Sequence, residues 1–278
     1  MNLVQLMLLT ATGEARHCLS QEQLSHDSVH AARKALNKAR AALRLLRSTF
    51  SDDDYRRYDI ALRDAGRSLS PLRDAYIMLN TLESCFDVGK DAVLRDVEAA
   101  RLRSAIEKHL ANMRTEVLHP HALAHCIELI DASRARGTRQ EIEEASTEVM
   151  QAGLRRVYRS ARKAFMAARE ERTDQSLHTW RKKAKYLRTA AAVLRTGQSR
   201  RLHETEKAAD DIANWLGKDH DLVALREFVI DSGLLGAGAP HPLFKRIEQR
   251  RQKFQRKALA AGEKLFRHKP NRFVADAT

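Results

Sequence analysis

Residues 30–47 read HAARKALNKARAALRLLR, and residues 178–195 read HTWRKKAKYLRTAAAVLR. Both stretches step in threes and fours. In the first, His30, Arg33, Asn37, Arg40, Arg44 and Arg47 share one helical stripe. Val29, Ala32, Leu36, Ala39, Leu43 and Leu46 sit one position earlier. One residue is about 100° of rotation, so a basic stripe runs beside an apolar one for about five turns. Lys34 and Lys38 widen the basic face. The second stretch repeats the design. His178, Arg181, Lys185, Arg188 and Arg195 are basic, with a gap at Ala192, beside Leu177, Trp180, Ala184, Leu187, Ala191 and Leu194.

The two stretches share His, Arg at +3, Lys at +4, Arg at +10 and Leu-Arg at +16 and +17, at an offset of 148 residues. Downstream, LSPLRDA from Leu69 answers LGKDHDL from Leu216, and Asp74 to Asp221 is 147 residues. Two landmarks at nearly one offset mark an internal repeat. The reading is a single domain over 1–278, built of two similar helical halves, 1–136 and 137–278. The join falls within 134–140, RARGTRQ.

Periodicity near 3.6 recurs along the chain. It predicts helices at about 1–22, 27–49, 53–68, 72–86, 90–118, 121–134, 139–170, 175–195, 199–216, 220–231 and 242–266. Asp27 is expected to cap the helix of His30, and Asp174 or Ser176 that of His178. Asp52, Asp53 and Asp54 suit a helix start, and Pro71 a first turn. Glycines 233, 236 and 238 and prolines 240 and 242 punctuate a loop before the last helix. No segment alternates as a strand does, so the fold class is all-α.

Lysine and arginine number 50 against 36 acidic residues, a net charge of +14. That excess speaks of partners rather than fold. Exposed helices usually mix acids and bases at i, i+4, and like charges there cost a few tenths of a kcal/mol per pair. Ala31 to Ser48 contains no acid, and neither does Leu177 to His203. A third helix carries Arg155, Arg159, Arg162 and Arg169 in register, with Lys163 adjacent. Such tracks fit a linear polyanion: arginine gives bidentate hydrogen bonds to phosphate oxygens, and lysine a point charge.

These motifs, together with LRRVYRSARKAFMAA and LGKDHDLVALREF, resemble the CHAD domain (conserved histidine α-helical domain) across nearly the whole chain. The resemblance implies two four-helix bundles, related by a pseudo-two-fold axis around a basic central cavity that binds inorganic polyphosphate. It implies a lining of His30, Arg33, Lys34, Arg40 and Arg44 from one half, and His178, Arg181, Lys182, Lys185 and Arg188 from the other. Arg159, Arg162 and Lys163 match the helix before the second repeat. Arg73 with Asp74, and His220 with Asp221, match the paired motif near the end of each half. Asn37 stands where the family usually has a base, and Ala39 where it usually has Leu. The fused triphosphate-hydrolysing domain of some members carries an ExExK strand. Here Glu141 and Glu143 are followed by Ala145, and the motif is absent.

Other classes fare worse. His119, His121 and His125 lack a familiar metal spacing, and Pro120 interrupts them. A dication at His30 or His178 would be repelled by the surrounding bases. GLLGAG follows no strand and leads to no GK[ST], and GxSxG, HExxH and SxxK are missing. Trp180 and Trp215 suit a core. Asp74 and Asp221 suit orienting a base more than acid/base catalysis. No cofactor and no metal are expected, and the protein is read as a binding module rather than an enzyme. Nucleic acid is the second-ranked partner, although aromatic residues are only 5% and stacking platforms are scarce. A phosphate-polymer enzyme ranks third, because the basic helices offer no carboxylates for Mg²⁺. Cys18, Cys85 and Cys126 are scattered, the first base is Arg16, and no run reaches a membrane span. A cytoplasmic location, on polyphosphate granules, and no membrane partner are therefore expected.

Overall fold

The computed structural model describes residues 3–86, 96–139, 146–195, 199–235 and 241–277. These residues form α1 (Leu3–Leu19), α2 (His26–Leu45), a 3-10 turn (Arg47–Thr49), α3 (Asp52–Ser68), α4 (Ser70–Phe86) and α5 (Asp96–Val117). They continue with α6 (Pro120–Arg139), α7 (Thr147–Glu171), α8 (Asp174–Leu194), α9 (Arg200–Ser232), α10 (Pro242–Leu265) and α11 (Pro270–Ala275). No strand occurs among the described residues, so the all-α class holds.

The two repeated helices begin in the same way. Ser25 caps α2, and its hydroxyl accepts from the Ser28 N–H at 3.1 Å while Ser28 reaches back. Thr173 caps α8 with Ser176 in the same reciprocal box, also at 3.1 Å. The caps therefore share the repeat offset. Asp27 and Asp174 are not the caps expected; each sits in the first turn, where its charge faces the helix N-terminus. Ser51 caps α3, with Asp52, Asp53 and Asp54 in its first turn.

α9 corrects the sequence reading. Two helices were expected across 199–231, and one of 33 residues is found. Gly217, which falls in the gap between the helices expected at 199–216 and 220–231, sits in its interior. In the first repeat the matching place is a break between α3 and α4, followed by Pro71, which has no N–H to give. Gly233 ends α9 with a left-handed φ of 62°, which glycine adopts without strain. α11 was not anticipated; Phe273 and Val274 bury it against α7. Residues 236–240 of the expected loop, the Glu141–Ala145 segment and part of the 134–140 join lie outside the described residues.

Helices α1, α2, α3 and α6 pack together, and so do α7, α8, α9 and α10. The apolar stripes make these bundles. Val29, Ala32, Leu36, Ala39, Leu43 and Leu46 are all buried, as are Leu177, Trp180, Ala184, Leu187 and Ala191. The two groups are not separate bodies, because α2 packs on α7 and α8 and one apolar core runs through both. A smaller core joins Met78 and Leu82 of α4, Leu102 and Ile106 of α5, Leu222 and Leu225 of α9, and Leu243 and Ile247 of α10. α9 needs its length to serve both cores.

The α2–α7 contact depends on one missing methyl. A Cβ on Gly153 would lie 3.0 Å from Leu45 Cα and closer still to its carbonyl oxygen. On α3, a Cβ on Gly66 would meet nothing within 4 Å. Alanine normally stabilises a helix over glycine by about 0.5–1 kcal/mol. Thermal unfolding is therefore expected to show Gly66→Ala stabilised by about that amount. Gly153→Ala is expected to be destabilised by about 1–3 kcal/mol, because the backbones must separate.

Candidate anion-binding site

Four helices, two from each repeat, bring a set of cations together. Arg33 of α2 lies in the field of Arg73 and Asp74 of α4 and of Arg181 of α8. Lys185 of α8 feels Arg181, Arg33, Arg188 and Asp221 of α9. His220 of α9 feels Arg181, Asp74 and Lys185, and its ring lies 4.5 Å from that of His178. Arg33, Arg73, His178, Arg181, Lys185 and His220 thus form one cluster, with Asp74 and Asp221 as its carboxylates.

The cluster is short of acceptors. Arg33 Nη1, Arg181 Nε and His178 Nδ1 are buried without a hydrogen-bond partner. Each unsatisfied guanidinium donor costs about 1–3 kcal/mol. Arg33 and Arg181 are the matched arginines of the two repeats. Burial and then the neighbouring arginines pull Lys185 down to about 7. Burial and then His220 pull His178 down to about 4, so its imidazole is neutral at physiological pH. Burial raises Asp221. Gly217 explains the placement of Arg181: a Cβ there would lie 3.3 Å from Nη2 and 3.4 Å from Nε. The glycine inside α9 makes room for the guanidinium.

Supporting contacts set the frame. Buried Arg251 of α10 donates from Nε to Asp219 Oδ1 at 3.1 Å and also holds Asp174 at the start of α8. Gln255 donates to the same Asp219 oxygen at 2.9 Å. This ties α8, α9 and α10 together within a turn of His178 and His220. Across the cluster, Arg73 bonds His26, whose ring stacks on Tyr76 at 3.4 Å. His26 escaped the sequence reading because it lies outside the repeated stripe; its signal was only a second histidine one turn before His30.

The remaining expected residues are placed differently. Arg40 and Arg44 share Asp59 of α3, both at 3.0 Å, and Arg188 pairs with Asp210 of α9 at 2.7 Å. Counter-charge absent along the helix is thus supplied by the next helix, in both repeats. Arg162 Nε donates to the Phe266 carbonyl at 3.1 Å, holding the end of α10. His30, Lys34, Lys182, Arg159 and Lys163 are exposed, and Lys182 lies near Arg67 and Arg40. Asp74 follows the first turn of α4, but Asp221 is inside α9 rather than at the helix start expected. His119 and His121 stack at the α5–α6 turn with ring centroids 5.4 Å apart. Among the described residues, no group of three or more His, Cys, Asp or Glu is placed to hold a metal ion. Nor, among the described residues, is any helix long and apolar enough to cross a membrane.

Three comparisons bear on this arrangement. The family model of the CHAD domain matches residues 11–229. No curated protein matches the chain. Among solved structures, the CHAD domain from the plant Ricinus communis superposes with a TM-score of 0.63 at 14% identity, over 99% of this chain and 90% of that one. PptA from Streptomyces chartreusis gives 0.60 at 16% identity, over 95% and 96%. At these identities the likeness is one of fold.

Lys185 gives the cluster a measurable pH signature. Unfolded, the lysine keeps its proton up to the ordinary value of 10.5; folded, it releases it near 7. Between these values the unfolded chain binds more protons, so stability climbs as pH rises and is lost as pH falls through 7. Urea unfolding between pH 7 and 9 should show this group adding about 1 kcal/mol per pH unit. Lys185→Met should flatten the slope and be the more stable protein at pH 7. An unchanged slope would count against a buried cationic Lys185.

Proposed function

We propose that this chain, which belongs to the CHAD domain family, binds inorganic polyphosphate through the cluster between its two repeats. The family is associated with polyphosphate binding in general. The observation that carries the reading is the pair of buried, unsatisfied donors on Arg33 and Arg181, one from each repeat. Donors buried beside other cations lack an anion. A phosphate chain supplies acceptor oxygens and negative charge to both repeats at once. It is also unbranched and carries no base.

The protein acts as a binding module and not as an enzyme. Asp74 and Asp221 face arginine, lysine and histidine, an arrangement that orients bases rather than activating water. A role in recruiting partners to polyphosphate granules in the cytoplasm follows from this reading. Nucleic acid is the second reading, favoured by the charge of +14 alone.

Calorimetry with long-chain polyphosphate at low salt tests the proposal. Binding is expected to weaken steeply with salt, as neutralised phosphates release counterions. Arg33→Glu with Arg181→Glu is expected to weaken it at least about 100-fold, since each charge-assisted bond contributes about 1.5–3 kcal/mol. Circular dichroism should show the helices intact. Tight binding of duplex DNA with none of polyphosphate would overturn the reading, as would phosphate release from the polymer by the purified protein.

A further inference from the structure

A second cationic feature lies on another side of α8. Lys183 and Lys185 are two residues apart, about 200° around the helix. Lys185 faces the cluster described above. Lys183 faces a cleft bounded by Arg44, Arg47, Tyr55, Arg156 and Tyr186, with Ser160 beside them. These residues come from α2, the 3-10 turn, α3, α7 and α8, so only the assembled fold makes the cleft.

Its aromatic rings are already engaged. The Arg44 guanidinium lies 3.9 Å from the centroid of Tyr186, and that of Arg47 4.4 Å from Tyr55. The tyrosines hold the arginines in place and leave those faces closed to a base. Arg44 shares Asp59 with Arg40, and Arg47 pairs with Asp52, whose side chain is 91% exposed. No carboxylate among the described residues pairs with Arg156 or Lys183. Arg156 reaches the Ser48 hydroxyl from Nη2 at 3.4 Å, but its Nε is buried with no partner. Burial and then Arg47 lower Arg156; burial and then Arg44 lower Lys183. Arg156 and Lys183 are crowded by the neighbouring arginines and have no carboxylate partner among the described residues.

The cleft is also outside the repeated design. The residue matching Arg44 at the repeat offset is Ala192, and Arg195, matching Arg47, pairs with Glu206 at 3.3 Å. A cavity of about 190 Å³ is smaller than the roughly 300–1,000 Å³ that takes drug-sized ligands. We infer that this cleft is a separate site for a short, multiply charged phosphoanion, bound through Arg156, Lys183, Arg44 and Ser160. The chemistry required is a terminal phosphate, present on free pyrophosphate and on the end of a longer condensed phosphate.

Pyrophosphate titrated calorimetrically into the full chain at low salt tests this inference apart from the polyphosphate reading. Pyrophosphate is expected to occupy the cleft in addition to any binding at the cluster of Arg33 and Arg181. Arg156→Gln with Lys183→Gln should weaken binding in the cleft at least tenfold, and Lys183→Gln alone, at a half-buried position, should weaken it less with folding intact. Arg33→Glu with Arg181→Glu should leave pyrophosphate binding standing whether or not long polymer still binds. Linear tripolyphosphate should bind more tightly than cyclic trimetaphosphate, which has no terminal group. Competition between pyrophosphate and long linear polymer would identify a chain end as the occupant; simultaneous binding would identify the free anion. Pyrophosphate affinity unchanged in the cleft variants, or lost only with Arg33 and Arg181, would overturn the inference.

Discussion

Like charges brought together between two repeats are the constraint around which the rest of this molecule is arranged. Arg33, Arg181 and Lys185 sit half-buried within one another's fields, with Asp74 and Asp221 as the nearby carboxylates. Such an arrangement opposes folding. It persists because both helices that carry it are anchored on their other stripe by a continuous apolar core. Val29, Leu36 and Leu43 hold α2, and Leu177, Trp180 and Leu187 hold α8, each fully or almost fully buried. Burying such a side chain contributes roughly 1.5–3 kcal/mol, against a few tenths for each like-charged i, i+4 pair along the helix that carries it.

The fold limits the repulsion by placing carboxylates selectively. Asp59 answers Arg40 and Arg44, Asp210 answers Arg188, and Glu206 answers Arg195. Among the described residues, Arg33 and Arg181 donate no hydrogen bond to a carboxylate, and each keeps a buried donor unsatisfied. In the proposed reading, the contrast between answered arginines and the matched, unanswered pair Arg33 and Arg181 marks the anion site more sharply than the density of positive charge does. Arg155, Arg156 and Arg201 also keep a buried Nε without a partner, and of these Arg156 lines the cleft on another side of α8.

Much of this was legible in the chain. The adjacent stripes give the helices and their buried faces, because side-chain direction on a helix follows residue number. The 148-residue offset gives the repeat, and the capping boxes at Ser25 and Thr173 fall on that same offset. Less was legible where packing overrules local preference. Gly217 reads as a helix end, yet it lies inside α9, because the space left by its missing side chain is filled by Arg181. α11 is six residues long, too short for periodicity to show, and it is held by Phe273 and Val274 against α7.

The sequence by itself determined which residues are basic, which helix face each occupies, and that two such helices repeat one pattern. Those are properties of spacing along one chain. Tertiary structure alone decided which of the arginines are neutralised, since Asp59 and Asp210 lie 19 and 22 residues from Arg40 and Arg188 and meet them only when neighbouring helices pack. It also decided that Arg33 and Arg181, far apart in the chain, share one electrostatic environment. Coulomb energy depends on distance through space and on burial, and neither is written in the order of residues.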